Sequence, residues 1–462
     1  MNAPKIVIIG AGSAIFGPGT IATILRSERL KGCRLGLVDV DEPSLERVQQ
    51  VAERMNDSWE AGATICASTE RRQVLEGADF VVVSIEVPPR EELWRLDWEI
   101  PVQHGLRQPY GENGGPGGLM HTCRQVPPLM AIVRDVEALC PDAWLINFSN
   151  PLPRLTRAVT KYSDVKIVGK CHQIEVGYGI VAVLLADAYG LDVPEDVRLH
   201  SDPANVGVIH TLASLGREHF AIKAAGLNHF TWMMDVRDRR TGEDVYPLLR
   251  EAVEEAPPTL EPLSMDLFRK FGYCPVPGDT HLAEYLPWTH DPLAEPWERY
   301  EIKLYDWGSN EMFREFSHHR LGQMARGQLS VKGMRDAHSE GAAEVIEAIS
   351  GNLNHYDEAV NLPNRGTIPN LPAETIVETP ALVGGSGVSG VQTGPLPEAI
   401  AELCRREAAL VELVVDAAVS GDRALAMQAL LLDPMINDIG RAELILDDYL
   451  EAFADYLPQF SA

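Results

Sequence analysis

Lys5-Ile6-Val7-Ile8-Ile9-Gly10-Ala11-Gly12-Ser13-Ala14-Ile15-Phe16 lies close behind the N-terminus. Four consecutive apolar, mostly β-branched residues run into two glycines one residue apart, which reads as a buried strand, a tight turn and the start of a helix. The first glycine permits the turn and the second lets a pyrophosphate approach the backbone. The helix that follows offers free N–H groups and the positive end of its dipole. The pattern is that of a dinucleotide cradle, with Gly10, Gly12, Ser13, Ile15 and Phe16 facing the cofactor; Ile15 stands where the usual fingerprint has its third glycine. A second apolar strand, Leu35-Gly36-Leu37-Val38, ends at Asp39, whose carboxylate is placed to accept hydrogen bonds from an adenosine ribose.

Outward from this stretch, residues 5 to about 85 alternate strand and helix, through a helix from about Thr20 to Arg29, another from Ser44 to about Ala61, a short segment at 64–67 and the strand Phe80-Val81-Val82-Val83-Ser84. A βαβαβ order requires a mostly parallel, doubly wound sheet of Rossmann type with right-handed crossovers. Ser84 and the residues after it, Ile85 to Arg90, then sit at the carboxyl edge of the sheet, where such folds bind ligands.

The run from Gly111 to Gly118 holds five glycines and a proline in eight residues and reads as a loop before a helix ending near Cys140. Two further strands deliver polar residues to the carboxyl edge: Ala143 to Asn147 leads to Asn150-Pro151, and Val165 to Gly169 leads to Cys171-His172-Gln173. Past residue 195 the alternation breaks down. A strand from His219 to Ala225 leads into Gly226-Leu227-Asn228-His229, with strand-like residues at 232–236 and a helix near Tyr246. Prolines bracket Asp279-Thr280-His281-Leu282-Ala283-Glu284-Tyr285. Helices are expected at 331–349, a strand pair at 374–383, and helices at 396–418, 421–431 and 439–455. The chain thus reads as a nucleotide-binding domain, residues 1–196, joined to a mixed α+β domain, residues 197–462, that binds substrate and metal and carries oligomer contacts.

The 462 residues carry a formal charge of −27, which disfavours nucleic acid and anionic membrane as partners. Seven widely spaced cysteines without a CxxC pair point to a reducing compartment. With no leader-like start and no apolar run approaching ~18 residues, the expectation is a cytoplasmic protein.

Three distant segments carry potential ligands: Asn147/Asn150, Cys171/His172 and Asn228/His229. Cysteine with histidine at a strand end suits a borderline divalent metal and leaves positions open for substrate oxygens. A buried cysteine packed as a small hydrophobe and a structural histidine account for the same spacing.

Gly10-Ala11-Gly12-Ser13, Val38-Asp39-Val40-Asp41, Asn147-Phe148-Ser149-Asn150-Pro151, Cys171-His172 and Gly226-Leu227-Asn228-His229 resemble, in order and spacing, glycoside hydrolase family 4, the NAD- and manganese-dependent glycosidases. Gly272-Tyr273, Ala283-Glu284-Tyr285 and Asp433-Pro434 extend the similarity over nearly the whole chain. The Cys-His and Gly-Leu-Asn-His segments look most like the α-galactosidase branch and related enzymes for unphosphorylated sugars. The resemblance implies a redox-elimination mechanism: hydride passes from C3 of the sugar to NAD, a base removes the C2 proton, the aglycone leaves, water adds and the hydride returns. A metal ion on the C2 and C3 oxygens acts as Lewis acid, and the two-carboxylate geometry of other glycosidases is not needed.

Carried over by position, the resemblance makes Cys171 and His229 metal ligands and Asn150 a substrate-binding residue; Asn228 and Arg124 are further candidate substrate contacts. His172 becomes the general acid. For the C2 base Asp279 is the first choice, with His281 and Tyr285 behind it. The segment Glu86-Val87-Pro88-Pro89-Arg90-Glu91-Glu92 holds one arginine among three acids, so a phosphosugar is disfavoured. An anionic uronide or sulfosugar stays open through Arg124, Arg154 or His121. The family resemblance further implies a homodimer or homotetramer. Two other readings remain: a lactate/malate-type dehydrogenase with net NADH production, and an NAD-binding sensor without catalysis.

Overall fold

The structure, a computed structural model, describes residues 3–194, 197–199, 206–291 and 294–461. The first part of the chain runs β1 (Lys5–Ile9), α1 (Phe16–Arg26), β2 (Arg34–Val38), α2 (Glu42–Trp59), β3 (Thr64–Ser68), α3 (Arg72–Leu75), β4 (Phe80–Val83), α4 (Arg90–Gln103), α5 (Gly115–Leu139), β5 (Trp144–Asn147), α6 (Leu152–Tyr162) and β6 (Lys166–Gly169). There follow α7 (Ile174–Leu184), α8 (Ala186–Tyr189), α9 (Val206–His219), β7 (Phe220–Leu227), β8 (Phe230–Asp238), α10 (Tyr246–Ala252), α11 (Pro262–Phe271), α12 (Asp279–Ala283), α13 (Pro296–Arg299) and α14 (Trp307–Ala325). The chain closes with α15 (Ala342–Gly351), β9 (His355–Pro363), β10 (Ile376–Gly384), β11 (Gly387–Gly390), α16 (Glu398–Ser420), α17 (Arg423–Leu432) and α18 (Ile439–Ala452).

Among the described residues eleven strands make one sheet in the order β3-β2-β1-β4-β5-β6-β9-β10-β7-β8, with β11 beside β10. The first six are parallel, as the alternation of strand and helix requires. Beyond β6 every pairing is antiparallel. Side chains alternate across β1: Val7 and Ile9 join one buried cluster with α5, α6 and α16, while Ile6 and Ile8 join another with α1, α2 and α15. A third cluster, including Tyr178, Phe220, Met233 and Phe268, seats α7 and α11 against β7 and β8.

One row of paired residues crosses this sheet at its functional edge. Val38 faces Ile9, Ile9 faces Val83, Val83 faces Asn147, and Asn147 faces Gly169. The row continues through Asn361 and Glu378 to Gly226. Gly10, Asp39, Asn150, Cys171-His172 and Asn228-His229 all lie one to three residues beyond this row.

The expected second domain, residues 197–462, therefore supplies the strands that extend the first domain's own sheet. Residue 196, the expected boundary, lies outside the described residues. Strand β9 falls where no strand was expected. Its sequence holds Asp357 and Asn361, both buried, which a strand tolerates here because Asp357 receives Lys170 Nζ at 2.7 Å and Asn361 donates to Glu378 at 2.8 Å. The glycine run is also not all loop: α5 begins at Gly115, with Pro116 in its first turn, where the missing N–H has no cost. No helix among the described residues is long and apolar enough to cross a membrane.

Candidate active site

The cradle forms at the end of β1. Amides of Gly10 and Ala11 both donate to Val38 O, at 2.9 and 3.0 Å, so the turn is tied to β2. Gly12 N donates to Asp39 Oδ2 at 2.8 Å, which brings the ribose-facing acid against the phosphate-facing turn. Ser13 Oγ accepts from Phe16 N at 3.2 Å and starts α1. Ile15 and Phe16 are exposed at the mouth of the cleft. The close packing that a third fingerprint glycine provides falls instead to Gly17, where a Cβ would lie 2.2 Å from Ala11 O. The neighbouring Gly17-Pro18-Gly19 run was the sequence signal for it. Ser84 N closes the cleft floor by donating to Ile9 O at 2.9 Å.

Cys171 and His229 come together from β6 and from the β7–β8 hairpin, with Sγ 3.6 Å from Nε2. Two ligands of one tetrahedral ion, at roughly 2.3 Å for sulfur and 2.0–2.1 Å for nitrogen, stand about 3.6 Å apart. His229 sits at the hairpin tip with φ +62°, a left-handed backbone that costs a histidine on the order of 1 kcal/mol and aims its ring inward. Burial holds its imidazole well below the ordinary value, so its lone pair is free of a proton. Burial, with Glu340 and Glu378 adding to it, pushes the Cys171 thiol well up; the thiolate needs a cation beside it. The donor set and its spacing thus fit a borderline divalent ion.

Asn228, expected to touch substrate, is buried and gives its amide to Glu378 Oε2 at 2.7 Å. Gln173 and Asn361 donate to the same carboxylate, at 2.8 Å each. Glu378 is therefore a buried anchor beneath the Cys-His pair, and Asn228 a brace for it. His172, beside Cys171, is held twice by Glu340: its backbone N at 2.8 Å and its Nδ1 at 2.7 Å. The Glu340 charge raises the imidazole to about 9, so His172 carries a proton at neutral pH. Cys171, His172 and Glu340 each present a ligand atom within 4.8 Å of one another.

Asn150 reaches the crevice from the end of β5 and donates to Glu112 Oε2 at 3.2 Å. Asn147 stays in the floor, locked to Ser149 N and O at 3.1 Å. Glu112 also receives Asn113 at 3.0 Å and faces Arg90 at 3.4 Å. Arg90 reaches Glu86 at 3.5 Å, and His121 Nε2 lies 3.0 Å from the same carboxylate. Burial alone would raise Glu86; His121, Arg90 and Arg124 outweigh it and hold the carboxyl below its usual range.

The segment 279–285 divides. Asp279, first expected as the base, is turned away from the crevice: its carboxylate accepts Leu263 N at 2.7 Å and Ser264 N at 2.8 Å, capping α11. Tyr285 is buried and packs 5.3 Å from the Phe230 ring. Burial and the Glu284 and Glu407 carboxylates push its phenol well up, against the needs of a base. His281 is the member that reaches the metal pair, stacked on His229 at 4.3 Å and 14°. Glu284, a motif residue given no role from the sequence, fastens this segment to the glycine run: its Oε1 accepts Gly111 N at 2.9 Å and Glu112 N at 3.2 Å.

Arg124, expected to contact substrate, is instead a core residue. Its guanidinium is clamped on Asp97, with Nη1 to Oδ1 at 2.6 Å, and stacks on Phe453 at 4.3 Å. A site on the open crevice would have left it a free face.

Buried Asp279 gives a stability prediction. Burial first, and Glu261 next, raise its carboxyl from 3.8 to about 8. The folded state binds that proton more tightly than the unfolded chain, so the stability it contributes is full below about pH 4 and is lost as pH rises toward 8. Asp279→Asn is expected to flatten that decline in urea midpoints between pH 4 and 8; equal slopes for both proteins would contradict it.

A Rossmann-type cleft whose carboxyl edge gathers a thiol, three imidazoles and a carboxamide is the framework of a nucleotide-dependent enzyme with room for a metal. Residues 5–186 match the model of the family 4 glycosyl hydrolases, and residues 224–436 match that of the family's C-terminal domain. The chain belongs to that family. It is 30% identical to an α-glucosidase of Erwinia rhapontici over 94% of each chain. A solved structure from Bacillus subtilis, described as a putative glucosidase, lplD, matches with TM-score 0.83 and 27% identity over 97% of this chain and 99% of that one. A 6-phospho-α-glucosidase from gut microorganisms, in complex with NAD and Mn2+, shares the fold at TM-score 0.76 and 21% identity, over 99% of this chain and 100% of that one.

Proposed function

We propose that this glycosidase hydrolyses an uncharged, unphosphorylated α-hexoside, a glucoside or galactoside, with NAD and a divalent ion such as Mn2+. One observation carries the substrate class: among the described residues, the crevice cations are already matched. Arg90 faces Glu86 and Glu112, His121 faces Glu86, and Arg154 lies 3.4 Å from Glu407, while Arg124 is withdrawn into the core on Asp97. A uronide, sulfonate or phosphate would meet no uncompensated charge, and binding one would leave a carboxylate unpaired nearby. Sugar hydroxyls suit the amides and carboxylates of Asn150 and Glu112.

NAD, when bound, would take up and return a hydride, and a divalent ion, which Cys171 and His229 would hold, would supply Lewis acidity. His172, protonated and oriented by Glu340, gives a proton to the departing glycosidic oxygen. His281, beside the His229 ring, takes the proton from C2. Asn150, braced by Glu112, orients the ring, and Gly10, Gly12, Ser13, Ile15, Phe16, Asp39 and Ser84 line the nucleotide cleft. All seven cysteines are free, which supports a reducing, cytoplasmic setting. Exposed Leu431, Leu432, Ile439 and Leu444 on α17 and α18 support a homo-oligomer.

The test is a nitrophenyl glycoside panel with NAD and Mn2+ each supplied or omitted. Release from an α-glucoside or α-galactoside is expected to need both, without NADH accumulating, and glucuronide, sulfoquinovoside and 6-phosphoglucoside should react at least ~100-fold more slowly, the cost of about 2.7 kcal/mol. NADH produced in step with a free sugar, without cleavage, would favour the dehydrogenase instead.

A further inference from the structure

A second cluster of metal-ligating side chains lies behind the candidate active site. Glu175 on the first turn of α7, His210 on α9 and His338 in the segment before α15 each place one ligand atom within 4.8 Å of one another. The three come from separate elements, so no local sequence preference explains their meeting. The His172 and His210 rings are 6.4 Å apart, so the cluster is a neighbour of the first pair and shares no residue with it.

Glu175 Oε2 and His210 Nδ1 are 2.6 Å apart, yet neither atom makes an aligned hydrogen bond. Glu175 is 8% exposed, and a buried carboxylate oxygen is rarely left so. Arg217 Nη1 takes the other oxygen, Oε1, at 3.1 Å and fixes the carboxylate with Oε2 toward the imidazoles. The His210 and His338 rings lie parallel, 4.4 Å apart at 12°. Burial, then the neighbouring His210, hold His338 below its ordinary value, so its lone pair is available. His338 is exposed, which gives an ion an entry path and leaves positions for water.

We infer that Glu175, His210 and His338 form a second divalent-cation site, selective for borderline ions of the zinc and cobalt kind. One carboxylate and two imidazoles are the donors such ions prefer, at roughly 2.0–2.2 Å each. Closing the cluster onto an ion asks about 1 Å of movement, available from the exposed His338 side chain. The site's role is fastening. It ties α7 and α9 to the segment that carries Ser339, 2.9 Å from Thr20 of α1, and Glu340, the holder of His172.

Equilibrium dialysis of the full-length protein against Zn2+, with the bound metal quantified, tests this. The parent is expected to bind two equivalents per chain. Cys171→Ser should keep one of them, His338→Ala should weaken that same one at least tenfold, and the double variant should bind neither. His210→Asn serves as an independent removal should His338→Ala fold poorly. Zn2+ should also raise the Tm of Cys171→Ser and leave that of the double variant unmoved. A parent that binds only one equivalent, abolished in Cys171→Ser, or two equivalents untouched by His338→Ala and His210→Asn, would overturn the site.

Discussion

Cys171→Ser should lower kcat/KM for the glycoside by about 10³-fold, the loss of about 4 kcal/mol of transition-state stabilisation. The Sγ to Nε2 spacing of 3.6 Å suits two ligands of one ion, and a hydroxyl is a far weaker ligand than a thiolate. The KM for NAD should stay within about twofold, because the cradle lies three strands away, on β1. Chelator-treated parent enzyme should show a similar fall, and added Mn2+ should restore the parent but not the variant. A variant within tenfold of the parent would remove Cys171 from the metal site.

Gly10→Ala is the second large effect. Gly10 has φ +88°, and a Cβ there would lie 1.8 Å from Ser84 O and 2.6 Å from Ser84 C. Both atoms are backbone of the strand end that β1 pairs with, so no rotamer relieves the clash. Positive φ and forced displacement together should cost about 3 kcal/mol or more in urea denaturation. NAD binding should be lost as well, since the same displacement lifts the turn from Asp39. Near-parental stability with intact NAD affinity would contradict the geometry.

Much of this was legible in the sequence where chemistry and position coincide. The glycine turn, Asp39 and the alternating strands announced the parallel sheet because each is local. Cys171 and His229 were found through motif resemblance, since nothing in a 58-residue separation predicts 3.6 Å. The supporting carboxylates Glu112, Glu284, Glu340 and Glu378 were not found. In an acidic chain each looks like surface charge, and only tertiary placement buries it among amides and imidazoles. Strand β9 was missed for a related reason: Asp357 and Asn361 break the apolar pattern of a central strand, and their partners lie just past β6 and on β10. Asp279 misled because an acid in a motif-bearing segment can serve a helix as well as a substrate.

The row of paired residues from Val38 to Gly226 makes the enzyme unequally tolerant of insertions and deletions. Adding or removing one residue inside β1, β4, β5 or β6 would invert the faces beyond it and carry a motif off the common edge. Loops at the opposite ends of these strands, such as the one around Gly77, can change length without disturbing that alignment. Directed evolution of this scaffold should therefore collect its indels on the far rim of the sheet, while the near rim admits only substitutions.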